Sequence, residues 1–201
     1  MRIIAGVYRG RRILPPSGRT TRPIIDRVKE SLFSILGDQV RDAVVADLFA
    51  GTGSLGLEAL SRQAKFCFFV ETDRPALRLL RQNVSDLDLQ EKTTIINKNA
   101  WYFTKWFRIQ QFLNLIFLDP PYLDSRCSAP DSRLGKLLTD LAKPGLLSEK
   151  GIVILRHESA YPCLDKYGQL MLKDSRRYGS MALSFLIRPE NTGPELLGDI
   201  S

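Results

Sequence analysis

Val44-Val45-Ala46-Asp47-Leu48-Phe49-Ala50-Gly51-Thr52-Gly53-Ser54-Leu55-Gly56 is the stretch on which the fold turns. Its first half is apolar except at Asp47, the pattern of a strand buried on both faces. That strand runs straight into Gly51, Gly53 and Gly56, which fit G-x-G-x-x-G at the start of a helix. Glycines there let the backbone turn tightly and approach a ligand beside a helix N-terminus. The next apolar run, Phe66 to Val70, ends in Glu71, placed where a carboxylate accepts hydrogen bonds from ribose hydroxyls.

Working outward, Thr94-Ile95-Ile96, Leu115 to Leu118 and Ile152 to Leu155 repeat the buried-strand signature. Pro75 to Leu87 carries Leu77, Leu80, Val84 and Leu87 at helical spacing, and strand–helix alternation of this kind predicts an α/β fold with a parallel sheet covered by helices. Leu170 to Lys173 and Met181 to Ile187 read as two strands with no helix between them, an antiparallel end to that sheet. Upstream, Arg2 to Ala5 and Arg11 to Leu14 form a hairpin about Gly6 to Gly10. Pro15-Pro16-Ser17-Gly18 is a linker, and a helix runs from Asp26 to Leu36 with Gly37 as its stop.

The chain has 201 residues, 44% hydrophobic and 25% charged, an ordinary globular composition without internal repeats or low-complexity segments. No apolar run approaches the roughly 18 residues of a membrane span, and the arginines after Met1 to Gly6 argue against a secretory signal. Cys67, Cys127 and Cys163 form no C-x-x-C pair, against a disulfide framework or zinc cluster. These features predict a cytoplasmic protein without a membrane segment or metal. Lys and Arg number 29 against 22 Asp and Glu. Seven arginines and Lys29 against Asp26 and Glu30 put six of the seven excess charges in the first thirty residues. Arginine forks suit phosphate oxygens and stack on bases, so this is the footprint of a nucleic-acid edge, with Tyr8 as a stacking ring; a solvated basic tail is the plainer alternative.

Two ligands fit the glycine turn and Glu71, a nicotinamide dinucleotide and S-adenosylmethionine, since each carries an adenosine ribose. Asp47 favours the second, because a carboxylate there repels a pyrophosphate and attracts a sulfonium and an ammonium. A further run, Asn114-Leu115-Ile116-Phe117-Leu118-Asp119-Pro120-Pro121-Tyr122, is a strand cut off by two prolines. It leaves a rigid turn holding two acceptors, the Asp119 carboxylate and the Pro120 carbonyl, beside the Tyr122 ring. Two fixed acceptors suit an exocyclic amine of a base, and the ring suits a base swung out of its stack. Parallel strands end at one rim, so this turn and the glycine turn face the same ligand crevice.

With these residues in view, the chain resembles the bacterial family of 16S ribosomal RNA guanine-N2 methyltransferases, a branch of the class I S-adenosylmethionine-dependent enzymes. The likeness rests on Met1 to Gly6 with Arg9-Gly10-Arg11, Arg22-Pro23, Asp26 to Glu30, Asp47 to Gly53, Leu57 to Arg62, Glu71, Asn99-Ala100 and Asp119 to Tyr122. The N-terminal signature is its family-specific part. The resemblance implies a Rossmann-like sheet of seven strands behind the N-terminal hairpin. Residues 1–40 would be an RNA grip and cofactor lid, 41–190 the catalytic domain and 191–201 a tail. Asp47, Ala50, Gly51 and Gly53 would contact the methionine end of S-adenosylmethionine, Glu71 its ribose, and Asn99 and Ala100 its adenine. Asp119, Pro120 and Tyr122 would hold the guanine, and Arg9, Arg11, Arg12 and Arg22 the rRNA or small ribosomal subunit. The segment from Arg22 to Glu30 would close over the cofactor, and the enzyme would act as a monomer.

His157, the sole histidine, reads as a capping or surface residue. The cysteines read as packing residues, as do Trp101 and Trp106 on a helix. A DNA amino-methyltransferase shares every motif from Asp47 onward but not the N-terminal signature. A nicotinamide-dependent oxidoreductase leaves Asp119 to Tyr122 unexplained, and a non-catalytic RNA-binding protein leaves both turns unexplained.

Overall fold

The computed structural model describes residues 1–15, 26–108, 112–121, 123–126 and 129–189. The strands, in chain order, are Val44–Leu48 (β1), Phe66–Val70 (β2), Thr93–Ile96 (β3), Leu113–Leu118 (β4), Leu147–Glu158 (β5), Lys166–Tyr167 (β6), Leu170–Tyr178 (β7) and Met181–Ile187 (β8). They form one sheet in the order β3-β2-β1-β4-β5-β8-β7-β6. The first five are parallel; β8 runs antiparallel to β5, and β7 antiparallel to β8. The expected seven strands are all present. An eighth is added by β6, a two-residue strand pairing Lys166 and Tyr167 with Met171 and Leu170. Only Tyr167 of it is buried, so hydrophobic pattern gave no signal for it.

Helices cover both faces. On one lie Asp26–Leu36 (α1), Ser54–Ser61 (α2) and Arg74–Asp86 (α3), whose Leu32, Leu57 and Leu80 pack against Val45, Leu115, Phe117 and Ile154. On the other, Phe103–Trp106 (α4) and Arg133–Leu141 (α5) pack against Val44, Ile116, Val153 and Leu155. Local chemistry sets the helix ends. Asp73 caps α3 by accepting the Ala76 amide, with a proline in the first turn, and Ser132 caps α5 by accepting that of Gly135. Gly37, at φ +52°, breaks α1 as its sequence implied. No helix among the described residues is long and apolar enough to cross a membrane.

The N-terminal segment folds back as the hairpin expected, with Arg2 bridging Arg12 and backbone bonds joining Ile3 to Arg11 and Gly10 and Ile13 to Met1. Ile3 and Ile13 sink into the same core as α1 and β1. Its polar anchor is Glu58 of α2, which is fully buried. The Glu58 carboxylate accepts the amides of Ile4 and Ala5 at 2.8 and 3.0 Å, and pairs with Lys29 Nζ at 3.3 Å and Arg62 Nε at 2.9 Å. Gly6, at φ +87°, lies so close to the Ser61 carbonyl that no side chain fits between them.

His157 departs from expectation. It lies within β5, is 4% exposed, and bonds through Nε2 to Ser184 Oγ of β8 at 2.8 Å. Burial lowers its pKa, so the ring is a neutral member of a buried polar row rather than a surface cap. Cys67 is buried in the core as read, and Trp101 and Trp106 do pack, Trp101 against Phe49 and Trp106 against Phe103. Cys127 lies outside the described residues.

Candidate active site

The glycine turn leaves β1 through Phe49, whose φ of +64° is unusual for an aromatic residue and marks a constrained turn. Ala50 extends the sheet by donating its amide to Val70 O at 3.0 Å. Gly51 (φ +56°) and Gly53 (φ +87°) then take left-handed conformations that open α2. A Cβ on Gly51 would meet open space, whereas one on Gly53 would lie 2.5 Å from Leu80 Cδ1. The first glycine therefore serves the crevice and the second serves packing under it. The turn is pinned from β2 as well. Glu71 Oε2 accepts the Gly51 amide at 2.8 Å, and Oε1 accepts those of Thr72 and Asp73 at 2.6 and 2.8 Å. Three amides use three of about four lone-pair positions, which fixes the carboxylate and leaves one for a hydroxyl.

Asp47 sits beneath this turn, only 2% exposed, with Oδ2 accepting the Gly56 amide from the first turn of α2 at 2.9 Å. Burial pushes its carboxyl well above the usual range, the Gly56 amide opposes that, and repulsion from Asp119 and Glu71 adds to it. Asn99 and Ala100 lie past β3, whose Ile96 carbonyl receives the Glu71 amide. The Asn99 side chain accepts the Trp101 amide at 3.0 Å, and Ala100 is buried. These residues therefore share the rim with Glu71.

Asp119 follows β4 directly, its amide reaching Leu48 O. Asp47, Asp119 and Arg156 each lie two residues beyond Val45, Phe117 and Ile154 along three neighbouring strands, β1, β4 and β5, so all three polar side chains point to the face covered by α1 and α2. Asp119 Oδ2 is paired with Arg156 Nη1 at 2.6 Å, and the Asp119 side chain remains 29% exposed, enough to meet a ligand. Burial raises its pKa and Arg156 pulls it back. Pro120 is buried, and Pro121 turns its carbonyl to the amides of Asp124 and Ser125, directing the chain away from the rim. Tyr122 and Arg22 lie outside the described residues.

Of the hairpin arginines, Arg9 and Arg12 are exposed, and Arg12 lines an open cleft with Arg2, Gly10 and Asp26. Arg11 is engaged, donating Nη2 to the Asp86 carbonyl at the end of α3 at 2.5 Å. The site thus brings together Asp47, the glycine turn, Glu71, Asn99, Ala100, Asp119 and Pro120 at one rim, and leaves the arginines on the hairpin. Sequence reasoning missed Arg156 and the Lys29–Glu58 pair. Side-chain alternation beyond Ile154 could have flagged the first.

The profile of the family described as "Conserved hypothetical protein 95" matches residues 1–187. The chain belongs to this family. Family-level likeness extends to a Bacillus subtilis protein provisionally named an rRNA methyltransferase, 32% identical over 180 residues, covering 89% of this chain and 94% of that one. The "Ribosomal RNA small subunit methyltransferase D" of Haemophilus influenzae is 42% identical over 123 residues, 61% of this chain but only 64% of that protein. A solved Escherichia coli structure, provisionally named a methyltransferase, superimposes with a TM-score of 0.78 at 31% identity, covering 94% of this chain and 97% of that one.

Proposed function

We propose that this chain methylates 16S ribosomal RNA using S-adenosylmethionine, and that the acceptor is the N2 amine of one guanine. The observation that carries the reading is the convergence of Asp47, Glu71 and Asp119 on one rim beside the glycine turn, close enough for both to act on Asp47. A crevice lined by carboxyl groups suits a cationic ligand better than the pyrophosphate of a dinucleotide. When bound, S-adenosylmethionine supplies an electrophilic methyl group and leaves as the neutral thioether.

The residues of the chain do the rest. Gly51 and Gly53 keep the backbone low beneath the cofactor's methionine end with Ala50, while Asp47 sets the local potential and holds α2 through Gly56. The remaining acceptor position of Glu71 takes a ribose hydroxyl, and Asn99 and Ala100 border the adenine. Asp119 accepts an amine N–H, and the Pro120 carbonyl takes the second. The guanine amine is a poor nucleophile because its lone pair is delocalised into the ring. Aligning it and accepting charge as the bond forms is the useful work, and positioning of this kind is worth about 7–11 kcal/mol. Tyr122 stacks on the base.

Residues 1–40 act as RNA grip and lid, since α1 covers the face on which Asp47 and Asp119 lie. Residues 41–190 carry the chemistry. The enzyme works in the cytoplasm, as a monomer and without a metal. The test is transfer of a labelled methyl group to small ribosomal subunits, naked rRNA and DNA, with digestion to nucleosides to read the position. N2-methylguanosine in rRNA is the expected product, and Asp119→Ala should abolish it while cofactor binding persists. Methylated DNA, or full turnover by the variant, would overturn the reading.

A further inference from the structure

We infer that Arg156 is a positioning residue, whose ion pair holds the Asp119 carboxylate charged and turned as the amine acceptor. The inference rests on the amine-methyl-transfer reading above. Arg156 follows Leu155, which pairs in register with Leu118, so the guanidinium and the carboxylate leave adjacent strands at the same level and on the same face. The side chain is itself held. Nε points to Met181 Sδ of β8 at 3.3 Å, its backbone pairs with Leu183, and only 11% of the side chain is exposed. A short, charge-assisted bond at 2.6 Å to Oδ2 therefore comes from a donor with little freedom to leave.

The need for such a partner follows from what faces Asp119. Arg156 approaches it from β5, and across the crevice floor lies the buried Asp47 of β1, whose own carboxyl Asp119 pushes towards the protonated form. Burial favours the protonated acid of Asp119, which offers one good acceptor instead of two and cannot take up charge as the amine is methylated. Arg156 counters it. By occupying Oδ2 it also fixes the carboxyl plane, so that Oδ1 has a defined direction. A residue that merely packed under the turn would have no reason to carry a charge.

The test uses Arg156→Gln and Arg156→Lys in the full chain. Methyl transfer to small subunits is measured from pH 5.5 to 9, cofactor affinity by calorimetry, and the Asp119 carboxyl by carbon-13 NMR, assigned from its absence in Asp119→Asn. Losing the cation should move the acidic limb of the rate upward by about one pH unit or more, a loss of about tenfold or more below the limb. The Asp119 NMR midpoint should move with it, and cofactor affinity should stay within about threefold of wild type. Arg156→Lys, which keeps charge but not the rigid fork, should restore most of the midpoint and only part of the maximal rate. An Arg156→Gln loss that is equal at every pH, or an unmoved Asp119 midpoint, overturns the inference while leaving the methyltransferase reading in place. A wild-type protein that methylates no nucleic acid defeats both. Should Arg156→Gln fail to fold, the Arg156→Lys rate and midpoint decide alone: wild-type values in both overturn the role of the fork.

Discussion

Replacing Glu58 tests how the N-terminal hairpin is held. Its two oxygens meet four donors, the amides of Ile4 and Ala5, Lys29 Nζ and Arg62 Nε. Glu58 is 0% and Lys29 1% exposed, so Glu58→Ala leaves a buried ammonium without its counter-charge, a loss of about 3–5 kcal/mol. Each abandoned amide adds about 1–3 kcal/mol if it stays buried. The contributions overlap, and Lys29 keeps the Arg2 carbonyl and Ser54 hydroxyl as acceptors, so about 4–6 kcal/mol is the expected total. Glu58→Gln should be nearly as harmful, because its NH2 group would face donors. Lys29→Met should cost less, since Glu58 keeps Arg62 and both amides. Urea denaturation reads the stabilities: at about 3 kcal/mol per molar, Glu58→Ala moves the midpoint down by more than 1 M. Should the hairpin detach before the rest unfolds, the midpoint shift shrinks and the Ile4 and Ala5 amides exchange freely instead. A Glu58→Gln protein with wild-type midpoint and protected amides would refute the reasoning.

Other consequences are as direct. Asp47→Asn should raise the melting temperature more at pH 8 than at pH 5. With its native-state pKa raised well above the unfolded value, Asp47 costs stability progressively as pH rises from about 4 to that raised pKa, a cost the amide removes, while cofactor affinity should fall; an equal gain at both pH values would show that native Asp47 is already ionised at pH 5 and that its pKa is not raised. Gly56→Ala would press on Cys67 Sγ at 2.6 Å and on the Phe69 ring, costing about 1–3 kcal/mol, part of which Cys67→Ala should return in a double-mutant cycle. Removing Arg9 and Arg12 together should lower the salt dependence of RNA binding by about 1.4–1.8 in log–log slope, as two phosphate contacts require. Arg11→Ala, by contrast, should chiefly loosen the hairpin from α3, seen as faster amide exchange at Ile3 and Ile13.

Where hydrophobic pattern and turn chemistry agree, the fold was legible. The bounds of α1 and the glycine turn between β1 and α2 could be read directly because glycines and apolar spacing coincide there. The fifth strand shows where that fails. Ile152 to Leu155 is the apolar part of a strand that runs from Leu147 to Glu158, and its polar ends are held by β4 and β8, which no local signal announces. Judging the strand by its apolar centre put His157 outside it, and so at the surface. Alternation would have placed His157 with Leu155 on the α5 face and Arg156 with Ile154 on the other. Glu58 was hidden for a different reason. Its partners lie far away in sequence, so a carboxylate among Leu57, Ala59 and Leu60 looks like the solvated stripe of an amphipathic helix.

Two buried side chains, Lys29 and Asn83, tie the N-terminal segment to the ligand turn. Lys29 Nζ joins Glu58 and the Arg2 carbonyl to Ser54 Oγ, the first residue of α2. Asn83 accepts the Leu14 amide through Oδ1 and donates Nδ2 to the Thr52 carbonyl, between the two left-handed glycines. Neither link is long or flexible, and both run through buried atoms, so the hairpin and the glycine turn cannot shift independently without breaking one of them. The glycines make the turn able to adopt its shape; Lys29 and Asn83 make that shape depend on a docked N-terminus. The basic edge and the crevice are thereby parts of one mechanical unit, which is what an enzyme must have if a nucleic acid gripped by the one is to present a base to the other.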